Sequence, residues 1–259
     1  MDDQIEGIVI DFKEYREHDA LLQVLDREGN IISMVARGIQ KVKSKNASAC
    51  QLFTFARFQL NVHAHSTLQS LRSAEILDSY RSIREDLMKQ SIASFFCECI
   101  YKSAFDQNVF VLLKTCLERL QTSDQPILVL CLFQSLMNQY HGIEPMVDSC
   151  VRCGNSKHIV GISLNSGGFI CEECFNRNED VKKSVAQLKR FRLLCKAKNE
   201  HYDILTTCGC FTFSDFEALY QFFEEYAGIA LRSIRFLRHL YAMDEYFIED
   251  NDEIPLTYK

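Results

Sequence analysis

Short runs of β-branched and aromatic residues punctuate the first part of the chain: Ile5 to Phe12, Ala20 to Leu25, Ile31 to Ala36 and Leu52 to Val62. These runs predict strands, and a fifth is expected between Thr67 and Ile76. Arg27-Glu28-Gly29-Asn30 supplies a turn between the second and third, which suits a hairpin. Five short strands in this length fit a small closed barrel, and an OB-fold is one member of that class.

At Ser82 the apolar period lengthens. Ser82-Ile83-Arg84-Glu85 has the form of a capping box, and Leu87, Ile92, Phe95, Phe96, Cys99 and Ile100 then recur at helical spacing. A second helix is predicted from Val109 to Leu120, and a third opens at Pro126 and stops at Gly142. Further on, helices are expected over Val181 to Lys198, after Ser214 as a cap with Glu217 three residues on, and from Ala230 to about Phe247. The expected fold class is α+β. An OB-fold barrel spans 1–80, a helical domain spans 81–146 and 178–259, and a four-cysteine module at 147–177 interrupts that domain.

The module carries the strongest chemistry. Cys150-Val-Arg-Cys153 and Cys171-Glu-Glu-Cys174 have the spacing of a tetrahedral zinc site closed by four thiolates, at about 2.3 Å per sulfur. Gly154 follows the first pair, and Asn165-Ser166-Gly167-Gly168 gives a turn before the second, so the intervening stretch can fold back as a hairpin. Four thiolates leave no position for water, so one structural Zn2+ is expected. A nucleobase-deaminase site would need an H-x-E segment and a P-C-x-x-C segment, and the chain has neither. The remaining cysteines, Cys50, Cys97, Cys99, Cys116, Cys131, Cys195, Cys208 and Cys210, are mostly set among apolar residues and read as small core residues.

With 259 residues and 47% hydrophobic content, the chain can bury real cores. No apolar run spans a bilayer, and the acidic start Met1-Asp2-Asp3 lacks a signal-peptide pattern, so a cytoplasmic protein without a membrane partner is expected. Reduced thiols follow, which favours metal over disulfide. The net charge of −6 argues against a nucleic-acid partner at first. Six acids and one base lie between Asp244 and Lys259, however, and without that acidic tail the body carries −1. Local basic patches then dominate a binding surface.

One such patch is Arg37 to Lys45, with Arg37, Lys41, Lys43 and Lys45 and no acid. It joins two predicted strands and so lies on the barrel surface, a setting suited to phosphate contact; Arg57 is a further candidate. Phe53, Phe55 and Phe58 are nearby in sequence but are more often core than stacking platforms. Two helical stripes also carry positive charge: Lys182, Lys183, Lys189, Arg190, Arg192, Lys196 and Lys198, and then Arg232, Arg235, Arg238 and His239. For each, a solvated face is the ordinary reading.

This order of parts resembles the bacterial DNA repair and recombination mediator family RecO over nearly the whole chain. Gly7-Ile-Val with Tyr15 through Asp19 resembles the family's opening strand and its Y-G-E-x-D turn, with Arg16 in place of glycine. Ala36-Arg37-Gly38 through Lys41, Lys43, Ser44 and Gln51-Leu52-Phe53 resembles its A-K-G-x-R-K-x-x-S … L-Q-P-F block, with Leu52 where proline is common. Ala74-Glu75 with Leu87 resembles the junction into the helical domain, and Leu231-Arg-Ser-Ile-Arg-Phe-Leu237 the closing helix. The resemblance implies a protein that is not an enzyme, binds single- and double-stranded DNA, and anneals complementary strands. It implies work with RecR, and with RecF in some pathways, to load RecA onto DNA coated by single-strand-binding protein. The acidic, apolar-ended C-terminal tail of that coating protein is expected to dock on the helical domain, with Arg232, Arg235 and Arg238 as first candidates. In agreement, the chain has no G-x-x-x-x-G-K-[ST], G-x-G-x-x-G, H-E-x-x-H or G-x-S-x-G segment. The alternatives are a zinc-ribbon transcription or RNA-binding factor without annealing activity, and, more weakly, an enzyme with an unrecognised site.

Overall fold

The structure, a computed structural model, describes residues 3–61, 68–103 and 107–245. They fall into two compact units, Met1–Asp124 with Leu231–Ala242 and Gln125–Ala230 with Met243–Lys259.

In the first unit, β1 (Gln4–Tyr15), β2 (Asp19–Asp26), β3 (Ile31–Ala36), β4 (Phe55–Asn61) and β5 (Leu68–Asp78) close into a barrel in the order β1-β2-β3-β5-β4. Among the described barrel residues only β3 and β5 pair in parallel, through Ser33–Leu68 to Val35–Ser70; β1 closes the barrel antiparallel on β4. This is OB-like topology, as the strand runs predict. Alternate residues of β2 (Ala20, Leu22, Val24) meet Val9, Met34, Ala56, Phe58 and Leu60 in one buried cluster. The register of β1 slips at Ile10, a bulge that bends the long strand around the barrel. Val62 and Thr67, at the expected strand ends, lie outside the described residues. Arg16 takes φ 58°, the left-handed conformation that glycine adopts easily, and its guanidinium lies 5.0 Å from the Tyr15 ring centre. Arg16 thus holds a conformation that costs a side-chain-bearing residue more than it costs glycine.

Helices α1 (Arg81–Glu85), α2 (Leu87–Lys102) and α3 (Gln107–Thr122) pack on the barrel. Phe110 of α3 meets Phe55 of β4 at 5.9 Å between ring centres, and Arg84 donates to the Leu52 carbonyl at 3.0 Å. The expected capping box at Ser82 does not form. Tyr80 precedes α1 with no side-chain cap, the Ser82 hydroxyl donates to the Gln121 carbonyl, and Asp86 caps α2 by accepting from Lys89 N at 3.0 Å. Tertiary contact with α3 outcompetes the local motif for that hydroxyl.

The second unit holds α4 (Pro126–Tyr140), α5 (Val185–Lys196), α6 (Tyr202–Thr207) and α7 (Phe213–Phe222) beside a small sheet. That sheet has β6 (Ile159–Ser163) between β7 (Gly168–Cys171) and β8 (Asp180–Lys182). Ser135 and Asn138 of α4 donate to the Leu194 and Leu219 carbonyls, tying α4 to α5 and α7. Three expectations are corrected here. Residues 180–182 form a strand rather than helix, because Val181 pairs with Ile162, and α5 starts only after the Ser184 cap. Helix α7 is capped by Thr212 with Asp215, not by Ser214 with Glu217. The closing helix α8 runs Ser233–Glu245, not from Ala230, and begins where the Glu98 carboxylate accepts from Arg232 N (2.9 Å) and Ser233 N (2.7 Å). Phe247 and the acidic tail beyond Glu245 lie outside the described residues. No helix among the described residues is long and apolar enough to cross a membrane.

Candidate metal centre and nucleic-acid surface

The thiols of Cys150, Cys153, Cys171 and Cys174 all lie within 4.8 Å of one another. Two elements bring them together. The 150–154 turn closes as Gly154 N donates to Cys150 O at 2.8 Å, with Gly154 at φ 75°, a conformation that favours glycine. The β6–β7 hairpin returns the chain to Cys171, and a 3-10 turn over Glu172–Cys174 presents the last thiol. A tetrahedron of sulfurs about 2.3 Å from one ion has an edge of roughly 3.8 Å. Cys153 Sγ and Cys171 Sγ stand 3.6 Å apart, so the cluster already has nearly the dimensions a four-thiolate ion needs.

Burial raises the Cys150 thiol pKa, but backbone N–H groups of Cys171, Cys153 and Arg152 outweigh it and bring it down to about 6. The neighbouring Cys153 thiol, then burial, push Cys174 up to about 12. Four thiols this close cannot all ionise alone, and a cation among them removes the conflict. With all four positions taken by sulfur, such an ion holds structure and has no open coordination position for catalysis.

Arg152, inside the first C-x-x-C, fastens the module from the other side. Its two terminal nitrogens each lie 2.8 Å from an Asp180 oxygen, and it also donates to the Cys174 carbonyl at 2.6 Å. The Asp180 side chain is wholly buried, and its carboxylate also accepts from Asn176 N at 2.7 Å. Burial alone would raise its pKa; the Asn176 N–H, Ser163 and Arg152 together hold it below the ordinary carboxylate value. Nothing in the C-x-x-C spacing marks Arg152, since Asp180 is remote in sequence. Of the other eight cysteines, Cys50, Cys97, Cys99, Cys116, Cys131 and Cys195 are buried, as core residues should be, while Cys208 and Cys210 are exposed.

On the barrel, Arg37, Lys41, Lys43 and Lys45 all lie in the loop between β3 and β4, and all are exposed. Among the described residues no carboxylate pairs with any of the four. The loop is nonetheless fixed at its base. Gly38 N donates to Asp19 Oδ1 at 2.8 Å, Gln40 N donates to the His18 carbonyl at 3.1 Å, and Asn46 Oδ1 accepts from Ala74 N at 3.2 Å. Ile39, Ala49 and Cys50 join the barrel core.

Arg57 is placed differently. Its guanidinium donates to Glu6 Oε1 at 2.9 Å and Glu75 Oε2 at 2.7 Å, across three strands. Its charge is committed to two carboxylates, so it does not join the loop's free cations. Phe53, Phe55 and Phe58 are buried and belong to the core, not to a stacking surface. On α5, Arg190 pairs with the buried Asp215 at 2.7 Å, and Asp148 takes both Arg192 (2.8 Å) and Lys196 (2.7 Å). On α8 and just before it, Arg232, Arg235 and Arg238 are exposed beside the half-exposed ring of Phe236.

A closed OB-like barrel with a one-sign basic loop, in one chain with a four-thiol ribbon, is the make-up of a nucleic-acid-handling protein. Residues 1–80 match the family model for the Recombination protein O N terminal, and residues 84–198 that for the Recombination protein O C terminal. The chain therefore belongs to the DNA repair protein RecO family, and its role lies in DNA repair and recombination. Similar proteins named DNA repair protein RecO occur in Halalkalibacterium halodurans, 29% identical over 247 residues (92% of this chain, 95% of that protein). One from Listeria monocytogenes is 26% identical over 266 residues (97% and 100%), and one from Bacillus pumilus 27% over 249 (92% and 94%).

Proposed function

We propose that this chain is a recombination mediator: it binds single- and double-stranded DNA, anneals complementary strands and, with RecR, helps load RecA onto DNA coated by single-strand-binding protein. The observation that carries this reading is the Arg37–Lys45 loop, four cations with no carboxylate partner among the described residues, on a fixed base at the barrel surface. Phosphates are neutralised there without regard to base sequence, which is what pairing of arbitrary complements requires. Zinc is the ion assigned to Cys150, Cys153, Cys171 and Cys174, because a closed four-thiolate shell suits it. The role needs no bond-breaking group, and the work is done on chromosomal DNA, in the nucleoid. The coating protein's acidic tail is assigned to Arg232, Arg235 and Arg238, with Phe236 receiving its apolar end; arginine pairs carboxylates while an exposed ring takes side chains.

Strand annealing of complementary oligonucleotides, with and without single-strand-binding protein, tests the reading. The expected result is faster pairing with little sequence preference, on coated strands as well. Binding to one duplex sequence without acceleration of pairing contradicts it and leaves a regulator. A fluorescent tail peptide that binds wild type and an Arg235→Glu, Arg238→Glu variant equally removes the α8 stripe as the docking site.

A further inference from the structure

We propose that Val42, at the apex of the basic loop, enters between the bases of bound DNA while the cations around it hold the backbone. The inference rests on the loop being the DNA-binding surface, and adds an apolar contact to it. Val42 is fully exposed, with 104% relative accessibility, whereas the other exposed apolar side chains of the same unit, such as Leu68, Ile76, Leu87 and Val111, range from 37% to 55%. Single exposed apolar residues are ordinary on protein surfaces. The setting of this one is not. Two successive turns, closed by Lys41 N to Gly38 O at 3.2 Å and Ser44 N to Lys41 O at 2.9 Å, bracket residues 41–43, all three of them exposed. Lys41 and Lys43 flank Val42 directly, and Arg37 and Lys45 lie outside them.

The base of the loop cannot fold the tip back. Asp19 and His18 hold one side, the Asn46–Ala74 contact holds the other, and Ile39, Ala49 and Cys50 are buried in the barrel. Phosphates drawn to the four cations therefore bring a nucleotide strand against the isopropyl group. A side chain with no donor or acceptor makes no hydrogen bond to a base edge, so its only edge contact is with a thymine methyl. It gains only by leaving water, and the apolar space a DNA strand offers is between base faces. An apolar wedge that opens stacked bases without reading them prepares a strand for pairing with any complement.

The chain contains no tryptophan, so a Val42→Trp variant carries a single indole reporter. The probes are a labelled thymidine homo-oligonucleotide and a labelled duplex of mixed sequence. Indole emission is expected to fall by about twofold or more as DNA saturates, in step with the label's anisotropy, because an indole between bases stacks on them. A Val111→Trp variant, on α3, should show no change. Binding at wild-type affinity with unchanged emission from the Val42→Trp variant overturns the proposal, as does equal quenching of the Val111→Trp variant. Either result leaves the basic loop as the phosphate site; that reading fails instead if alanine at Arg37, Lys41, Lys43 and Lys45 leaves affinity unchanged. As a second variant, Val42→Ser should keep the salt dependence of binding and slow annealing by roughly fivefold. An unchanged annealing rate contradicts the wedge.

Discussion

The barrel and the ribbon are both small β structures, and they use their charged side chains in opposite ways. The barrel closes around a continuous apolar cluster drawn from β1 to β5 and the loop that follows β3. Its shape needs no cation from that loop, so Arg37, Lys41, Lys43 and Lys45 are left to meet a partner. The ribbon's own cluster, around the thiols, is Cys150, Ile170 and Cys171 with Val151, Ile159, Cys174 and Phe175 packed against them, while its Phe169 is buried against Phe191 of α5. A core that small does not stabilise a fold, and metal or paired charge must add to it. The four thiols are accordingly turned toward one another, and Arg152 toward Asp180. On the barrel, the cations of the β3–β4 loop stand where apolar packing already suffices.

The largest effect that sharpens this contrast should come from the metal. Cys171→Ser, or chelation of the wild type, should release the zinc and unfold the ribbon, since structural zinc sites in small peptides contribute on the order of 10 kcal/mol. Elemental analysis should find one zinc per chain before treatment. Calorimetry should show the second unit melting earlier, because Phe191 of α5 packs on Phe169 of β7 (ring centres 6.0 Å apart). Freshly purified protein without zinc, or unchanged melting of the Cys171→Ser variant, contradicts the account.

Next comes Asp180→Ala. It strands the Arg152 guanidinium, and losing one partner of a buried pair should destabilise by roughly 2–3 kcal/mol, below the fully buried range because Arg152 is partly solvated. Denaturant midpoints measure this. Metal content should stay at one zinc, which separates the clamp from the ligands.

A smaller effect is expected at Glu98, in the barrel's unit. Burial raises its pKa, but the N–H groups of Arg232 and Ser233, with Lys102, bring it down to about 2. A carboxyl lowered in the folded state contributes stability that is full above its unfolded value, about 4.3, and is lost as pH falls from there toward 2. Glu98→Gln should therefore flatten acid denaturation between these values, and a wild-type acid profile in that variant removes the cap as its cause.

The smallest is Arg57→Ala. Its pair with Glu75 is solvated and its pair with Glu6 only partly covered, so a small loss of stability is expected, with no change in DNA affinity. A clear fall in affinity would mean that Arg57 leaves its carboxylates for phosphate, and the contrast between committed and free cations would weaken.

Much of this was legible in the chain. Short runs of β-branched and aromatic residues located the five described barrel strands, and the two C-x-x-C pairs located the thiol cluster, because both signals are local. Errors arose where distant residues decide. Ser82 reads as a cap, yet its hydroxyl serves the Gln121 carbonyl; Val181 reads as helical, yet it completes a sheet with Ile162. Thr212 rather than Ser214 caps α7 because Asp215 reaches back to Thr212 N (2.9 Å) while also holding Arg190. Charge was the least legible property. Arg57 and Arg37 look alike in sequence, but Glu6 lies 51 residues from Arg57 and only the fold brings them together.

The most direct measurement is the salt dependence of single-strand binding by wild type and by a variant with alanine at Arg37, Lys41, Lys43 and Lys45. Each phosphate contact contributes about 0.7 to the slope of log affinity against log salt, so four contacts make the variant shallower by about 2.8. Over a fourfold rise in salt, the variant should then lose roughly 50-fold less affinity than wild type, to the same extent for every sequence, with its melting temperature unchanged. Identical slopes and affinities would move the DNA site off the barrel loop and contradict the account.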